Sequence, residues 1–225
     1  MKALCLLAMA ALLLSAPVAS ATVLLYEDFE GSLDDWWHDT GDLWHVEDYR
    51  SYTGNNSLAY NWGDPFYDYW TPPFANSGHA YSAVVDATGA SEVYMEFASW
   101  LETENTAGQS QYWYDIAHVE LYDTDLNYAA TLTPDINYFA QGQWNYLYTI
   151  NLRPMLDDHS LDQFRVGFYF DTVDWMDNIH EGWYVDDLRI TDGGQTPPVP
   201  EPSTWLLLST GLVGAVPFVR RKLRR

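Results

Sequence analysis

Apolar and polar positions alternate with a period of two over most of the chain between Val23 and Thr191. That is the pattern of strands with one face buried. It predicts strands at Val23–Phe29, Leu43–Asp48, Ser57–Trp62, Tyr81–Asp86, Glu92–Glu102, Tyr112–Tyr122, Tyr128–Thr133, Gln143–Asn151, Phe164–Phe170 and Trp183–Thr191. Turn chemistry separates them, as at Gly41-Asp42, Thr53-Gly54-Asn55-Asn56, Gly63-Asp64-Pro65, Asn76-Ser77-Gly78, Thr88-Gly89 and Gln141-Gly142. No stretch keeps a helical period for three turns, and one helical turn is expected near Pro154–Asp158. Short strands at this spacing predict an all-β fold, an antiparallel β-sandwich of jelly-roll type.

The last strand breaks its own pattern. Strict alternation from Trp183 places Tyr184, Asp186, Leu188 and Ile190 on one face, which would turn one carboxylate into the core. An unpaired buried carboxylate is costly. Either a bulge turns Asp186 away, or Asp186 and Asp187 feed a site at the sheet margin.

Both ends of the chain depart from the β pattern. Met1–Ala21 carries Lys2, an apolar run from Ala3 to Leu14 and the small residues Ala19-Ser20-Ala21, the layout of a secretory signal peptide. Cys5 lies inside it and is the only cysteine, so a mature chain from Thr22 has no disulfide or thiol chemistry. Residues 192–199 (DGGQTPPV) read as a linker. Pro200-Glu201-Pro202-Ser203 follows, then an apolar run from Trp205 to Val219 and the basic end Arg220-Arg221-Lys222-Leu223-Arg224-Arg225. As a single membrane helix that run covers about 22 Å against a ~30 Å hydrocarbon core, a marginal span with positive residues on the cytoplasmic side. In motif, apolar run and basic tail, residues 200–225 resemble the PEP-CTERM sorting signal. The resemblance implies that exosortase recognises Pro200, Glu201 and Pro202, with the inner membrane holding the precursor.

Between Thr22 and Val199 stand 31 acids against Arg50, Arg153, Arg165 and Arg189, a net charge of −27 with no lysine. Such a surface excludes nucleic acid and anionic lipid as partners and favours divalent cations. There is no Gly-x-Ser-x-Gly elbow, and the six histidines lack zinc-ligand spacing, so they are expected as strand or surface residues. Calcium, which takes six to eight hard oxygens, fits the composition better. Acids stand where strand ends should meet: Glu27, Asp28 and Glu30, then Glu102 and Glu104, then Asp186 and Asp187. In a jelly roll the first and last strands lie side by side, which would bring Glu30 toward Asp186 or Asp187. A cation, or Arg165 or Arg189, should then sit between them. The aromatic run Phe66–Trp70 is either a ligand platform, with Tyr67, Tyr69 and Trp70 stacking on sugar faces, or a loop folded over the end of the sandwich.

The order of motifs in the domain is itself informative. Glu27-Asp28-Phe29-Glu30-Gly31 with Trp36-Trp37, Leu43-Trp44-His45-Val46 and Ser51-x-x-Gly54-x-x-Ser57-Leu58 open it. Phe97–Glu104, Asp115–Glu120, Phe170–Asp174 and Glu181–Asp187 follow. This series resembles the MAM-like jelly-roll modules attached to secreted bacterial proteases such as immune inhibitor A. The resemblance implies a concanavalin-like or galactose-binding-like sandwich without catalytic activity of its own. It also implies structural calcium at Glu30, Glu102 and Asp187, with Asp186 or Asp115 as a further ligand. No protease is attached here, so an accessory role beside one does not carry over.

The expected function is therefore a non-catalytic binding or structural protein of the cell envelope or exopolysaccharide matrix. A polysaccharide-active enzyme with acids on a sheet face, and a matrix protein without a specific ligand, are the alternatives.

Overall fold

The computed structural model describes residues 21–193 except 32, 34, 40, 42, 105–113 and 137–139, and leaves the side chains of 147–149 aside. The signal peptide up to Ser20, the linker from residue 194, the sorting signal Pro200-Glu201-Pro202 and the apolar run 205–219 lie outside the described residues. Ala21–Gly194 form one compact unit. Among the described residues no helix is long and apolar enough to cross a membrane.

Twelve strands and one short helix make up the described body. They are β1 (Val23–Glu27), β2 (Trp37–His38), β3 (Trp44–Glu47), β4 (Ser57–Tyr60), β5 (Ser77–Tyr81), β6 (Val85–Asp86), β7 (Tyr94–Glu102), β8 (Ile116–Tyr122), β9 (Tyr128–Thr131), β10 (Trp144–Asn151), α1 (Arg153–Asp158), β11 (Gln163–Asp171) and β12 (Gly182–Thr191). Two antiparallel sheets result. The first runs β10-β7-β12-β4-β3, with β1 also on β12; the second runs β2-β5-β11-β8-β9, with β6 also on β11. The expected all-β antiparallel sandwich is the observed fold.

Alternation explains the packing. In β11, Phe164, Val166, Phe168 and Phe170 are fully buried, while Arg165 and Tyr169 between them are half-buried on the other face. The inward residues meet Phe97, Trp183, Tyr60 and Trp44 from the first sheet in one continuous core. Edge-to-face contacts join the two layers, as between Phe168 and both Phe97 (5.4 Å) and Trp183 (5.6 Å).

Two elements differ from the alternation pattern. The expected strand Tyr81–Asp86 is divided: β5 ends at Tyr81, β6 begins at Val85, and both pair with β11. Ser82 spans part of the gap, its N–H donating to Val166 O and its Oγ accepting from Val166 N. The two-residue β2 is too short to show a period and was not expected.

β12 resolves its conflict with a bulge. The register to β7 passes from Asp186 opposite Ala98 to Arg189 opposite Glu96, and Asp187 takes a left-handed φ of 50°. One extra residue restores phase, so Leu188 and Ile190 face the core and Asp186 stays with Tyr184 on the outer face.

Candidate functional site

The first and last strands do lie together, Leu25 opposite Ile190 and Glu27 opposite Leu188. The acids that follow from this pairing converge on one loop, residues 51–56. Asp186 accepts hydrogen bonds from the backbone N–H groups of Tyr52 (2.7 Å), Thr53 (3.1 Å) and Asp187 (2.7 Å). Burial pushes Asp186 up to about 6 against the pull of those three bonds. Glu30 accepts from Asn55 N (2.6 Å) and Asn56 N (2.5 Å), which hold its carboxyl below the ordinary range. Asp187 accepts from Thr53 Oγ1 at 2.9 Å and from Tyr26 OH at 3.2 Å. Gly54 makes the approach possible: its φ is +62°, and a Cβ there would stand 2.5 Å from Glu30 Oε1.

The calcium expectation meets a specific difficulty at this place. The oxygens of Glu30 and Asp186 are aimed at N–H donors, which supply the positive ends that a cation or arginine was expected to supply. Glu102 is not part of the group, since it pairs with Gly182, four positions along β12 from Asp186 and so roughly 13 Å away. Arg165 lies on the second sheet. Among the described residues no group of three or more His, Cys, Asp or Glu side chains is gathered to hold a metal. As arranged, Glu30, Glu102, Asp186 and Asp187 do not fit a cation cage.

The aromatic run divides. Tyr69 is fully buried and donates its hydroxyl to Asp115 Oδ2 at 2.6 Å, so it belongs to the core and not to a platform. Tyr67 stacks on Tyr49 at 4.0 Å. Trp70 is 45% exposed and lines a cleft of about 940 Å³ with Trp62, Phe66, Phe74 and Ile179.

A second constellation lies on the outer face of the second sheet, where cross-strand register builds rows. One row is Trp37, Tyr81, Gly167, Glu120 and Thr131; the next is His79, Tyr169 and His118; a third is Arg165, Tyr122 and Tyr128. Neighbouring rings touch: Trp37 stacks on Tyr81 (5.2 Å), His79 lies 4.5 Å and His118 5.0 Å from Tyr169, and Tyr122 meets Tyr128 edge-on at 6.0 Å. Gly167 leaves room for this pavement, since a Cβ there would come 2.7 Å from the Tyr122 ring.

Glu120 ties the strip together. Its Oε1 lies 2.9 Å from His118 Nε2, its Oε2 lies 3.1 Å from His79 Nε2, and Tyr122 OH donates to Oε2 as well. Burial alone would raise Glu120; these three partners outweigh it and hold the carboxyl at about 2. His79 also reaches Asp39 Oδ2 through Nδ1 at 2.8 Å. Burial pulls its imidazole down, but the two carboxylates prevail and the pKa lies above the ordinary value. A ring with both nitrogens on carboxylates fits the imidazolium, which donates twice.

The sequence marks these histidines only as strand or surface residues. The available signal was the i, i+2, i+4 spacing of His118, Glu120 and Tyr122, repeated as His79 and Tyr81 in β5, which puts polar rings on one face of adjacent strands.

Several solved structures are similar to the chain. A xylan-binding domain of family CBM22 is 18% identical, with 80% of this chain and all of that one covered, at a TM-score of 0.44. The CBM22-1 xylan-binding domain from Paenibacillus barcinonensis Xyn10C is 14% identical over 78% and 98% of the two chains, TM-score 0.43. The K1 cleaved adhesin domain of Lys-gingipain from Porphyromonas gingivalis W83 is 15% identical over 77% and 99%, TM-score 0.46. No curated protein matches the chain. Residues 198–225 match the model of the PEP-CTERM protein-sorting motif, the mark of an exported protein that passes through the envelope by exosortase sorting.

Proposed function

We propose that this exported protein binds a neutral polysaccharide of the cell envelope or extracellular matrix along the outer face of its second sheet. The observation that carries the reading is the ring-paved strip itself. Outer-face positions of a sandwich need no rings for folding, yet this face places Trp37 (48% exposed) and Tyr128 (56% exposed) at opposite flanks, with His79, Tyr169, His118 and Glu120 between them. The strip spans five strands, about 19 Å at ~4.8 Å per spacing, room for a short run of sugar rings. Aromatic faces stack on the apolar C–H faces of sugars, and polar tips reach the hydroxyls. The net charge of −27 between Thr22 and Val199 disfavours polyanionic chains.

Binding without hydrolysis is the form of the reading we favour, as the MAM-like sequence pattern also implies. A glycosidase needs one carboxyl held protonated as general acid. Glu120, the most enclosed carboxylate of the strip, is held ionised.

Calorimetric titration with soluble neutral polysaccharides tests this. Replacing Trp37 by Ala is expected to weaken binding about tenfold, the equivalent of ~1.4 kcal/mol, without release of reducing ends from the polymer. Undiminished affinity in Trp37→Ala and Tyr128→Ala together would reject the strip as the binding face.

A further inference from the structure

One end of the sandwich carries its rings outward. The connection from β4 to β5 presents Trp62, Phe66, Trp70 and Phe74, all exposed, and the segment leading into β12 adds exposed Ile179. These five side chains line one cleft of about 940 Å³. Backbone bonds hold the rings there without burying them. Trp62 N donates to Asp68 O (2.8 Å), Phe66 N to Gly63 O (3.0 Å) and Phe74 N to Thr71 O (2.9 Å), while Trp62 Nε1 donates to Trp70 O. A contiguous apolar surface kept open by its own scaffold marks a place where something docks.

The charge of the cleft says what kind of partner fits. Asp64 and Asp68 line it, and among the described residues no Lys, Arg or His does. The Asp68 carboxylate is tied beside Trp70, whose N–H donates to its Oδ1 at 3.2 Å. The arginines of the domain are engaged elsewhere: Arg50 on Glu181, Arg153 on Asp157, Arg165 on Ser82 O, and Arg189 in β12 opposite Glu96. The first sheet shows the complete form of this chemistry. There the Arg50 guanidinium lies 4.0 Å above the Trp100 ring and is bonded twice to Glu181, so one cation serves a ring face and a carboxylate together. The cleft repeats the rings and the carboxylates, and no cationic residue of the chain stands between them.

We propose that this cleft binds a soluble organic cation, an alkylated ammonium carried on an apolar body. The ammonium faces the Trp70 indole beside Asp68, and the apolar body lies against Phe66, Phe74 and Ile179. The cleft has the size of a small-molecule site, well beyond what a bare ion fills. Cation–π attraction and nearby carboxylates select a positive organic group, whereas a hard metal ion needs an oxygen shell that ring walls do not provide. The net charge of −27 between Thr22 and Val199 gathers small cations and keeps this end away from anionic membranes. The glycan strip is a separate matter, since neither Trp37 nor Tyr128 lines the cleft.

The test uses full-length protein in nonionic detergent, with free ligand fixed by equilibrium dialysis at about 150 mM salt to screen diffuse attraction. The probes are 3-hydroxyphenyltrimethylammonium and its neutral isostere 3-tert-butylphenol. The cation is expected to saturate one site and to bind about tenfold more tightly than the isostere. Trp70→Leu keeps an apolar wall and removes the ring; it should weaken the cation about fivefold or more, leave the isostere within about twofold, and leave polysaccharide affinity unchanged. Asp68→Asn should weaken the cation and not the isostere, and Trp70→Leu carries the test by itself if that variant fails to fold. Equal affinity for the two probes overturns the proposal. So does cation binding indifferent to Trp70→Leu, which would assign it to the acidic surface at large. Trp70-dependent binding to phosphatidylcholine vesicles, with none to the soluble cation, would also overturn it and make the cleft a membrane contact.

Discussion

The two outer faces of the sandwich are built from similar residues and are arranged differently. On the first sheet, Trp100 and Tyr184 meet edge-on at 5.3 Å, with Asp186 beside them. On the second, Tyr81, Tyr122 and Tyr169 surround Glu120. The difference lies in where the polar groups turn. On the first sheet they turn outward to the loop 49–56: Asp186 to its N–H groups, and Trp100 to the Arg50 guanidinium 4.0 Å above its ring. Arg50 is itself fixed by two bonds to Glu181. On the second sheet they turn sideways, strand to strand, and Trp37 and Tyr128 stay exposed at its flanks. Rings and acids on a sheet face thus make a roofed layer or a strip linked strand to strand, according to whether a nearby loop offers N–H groups to the acid.

The largest test of that contrast is to remove the roof's anchor. Asp186→Ala leaves the N–H groups of Tyr52, Thr53 and Asp187 without their acceptor. The expected loss is about 3 kcal/mol, a Tm lower by roughly 6–12 °C. Affinity for polysaccharide on the opposite sheet should not change in protein that remains folded. A joint loss of stability and binding would mean that the two faces are not separable.

How far each face could be read from the chain follows from the same geometry. The strands were legible because a half-buried strand writes its burial into a local period, as Phe164, Val166, Phe168 and Phe170 do. The conflict at Asp186 was legible too, and the structure took the bulge that sequence offered as one of two resolutions. The strip was not legible. Its members are scattered from Trp37 to Tyr169, and only strand register brings them together. Contiguity misled in the opposite direction: Phe66–Trp70 drew attention as a run of rings, yet Tyr69 turns inward to Asp115 while Trp70 stays out. Neighbours in sequence had no common face because the segment is a loop, without the strict alternation of a strand.

Acidity distinguishes the groups more gently. Glu120 is depressed from 4.5 to about 2, so the stability it contributes is present above pH 4.5 and lost as pH falls toward 2. Three groups work the other way. His79 is raised above 6.5, so its contribution is full below 6.5 and lost as pH rises through its higher folded value. Asp186, raised from 3.8 to about 6, and Asp115, raised from 3.8 to about 7, likewise favour the folded state at low pH and lose that contribution as pH climbs from 3.8 through those values. Tm should therefore peak near pH 4 and decline as pH rises toward 8. His79→Gln should remove part of the decline above pH 6.5. A Tm that climbs steadily from pH 5 to 8 would contradict these signs.

The smallest expected effect is the sharpest for function, because it sets the strip against the aromatic cleft. Trp70 is 45% exposed, and its hydrogen bonds run through its backbone: Trp70 N donates to Asp68 Oδ1 at 3.2 Å, and Trp62 Nε1 donates to Trp70 O at 2.9 Å. Trp70→Ala keeps those bonds and empties part of the cleft wall, so stability should shift by no more than ~0.5 kcal/mol. If the second sheet binds the polysaccharide, affinity measured by calorimetry should also stay within twofold, in contrast to Trp37→Ala. A tenfold loss from Trp70→Ala, with Trp37→Ala silent, would move the binding surface to the cleft lined by Trp62, Phe66 and Phe74. The strip's rings would then have to be explained as packing for one another: Tyr81 and Tyr122 keep only 6% and 5% of their surface exposed, whereas Trp37 and Tyr128 would have no such account.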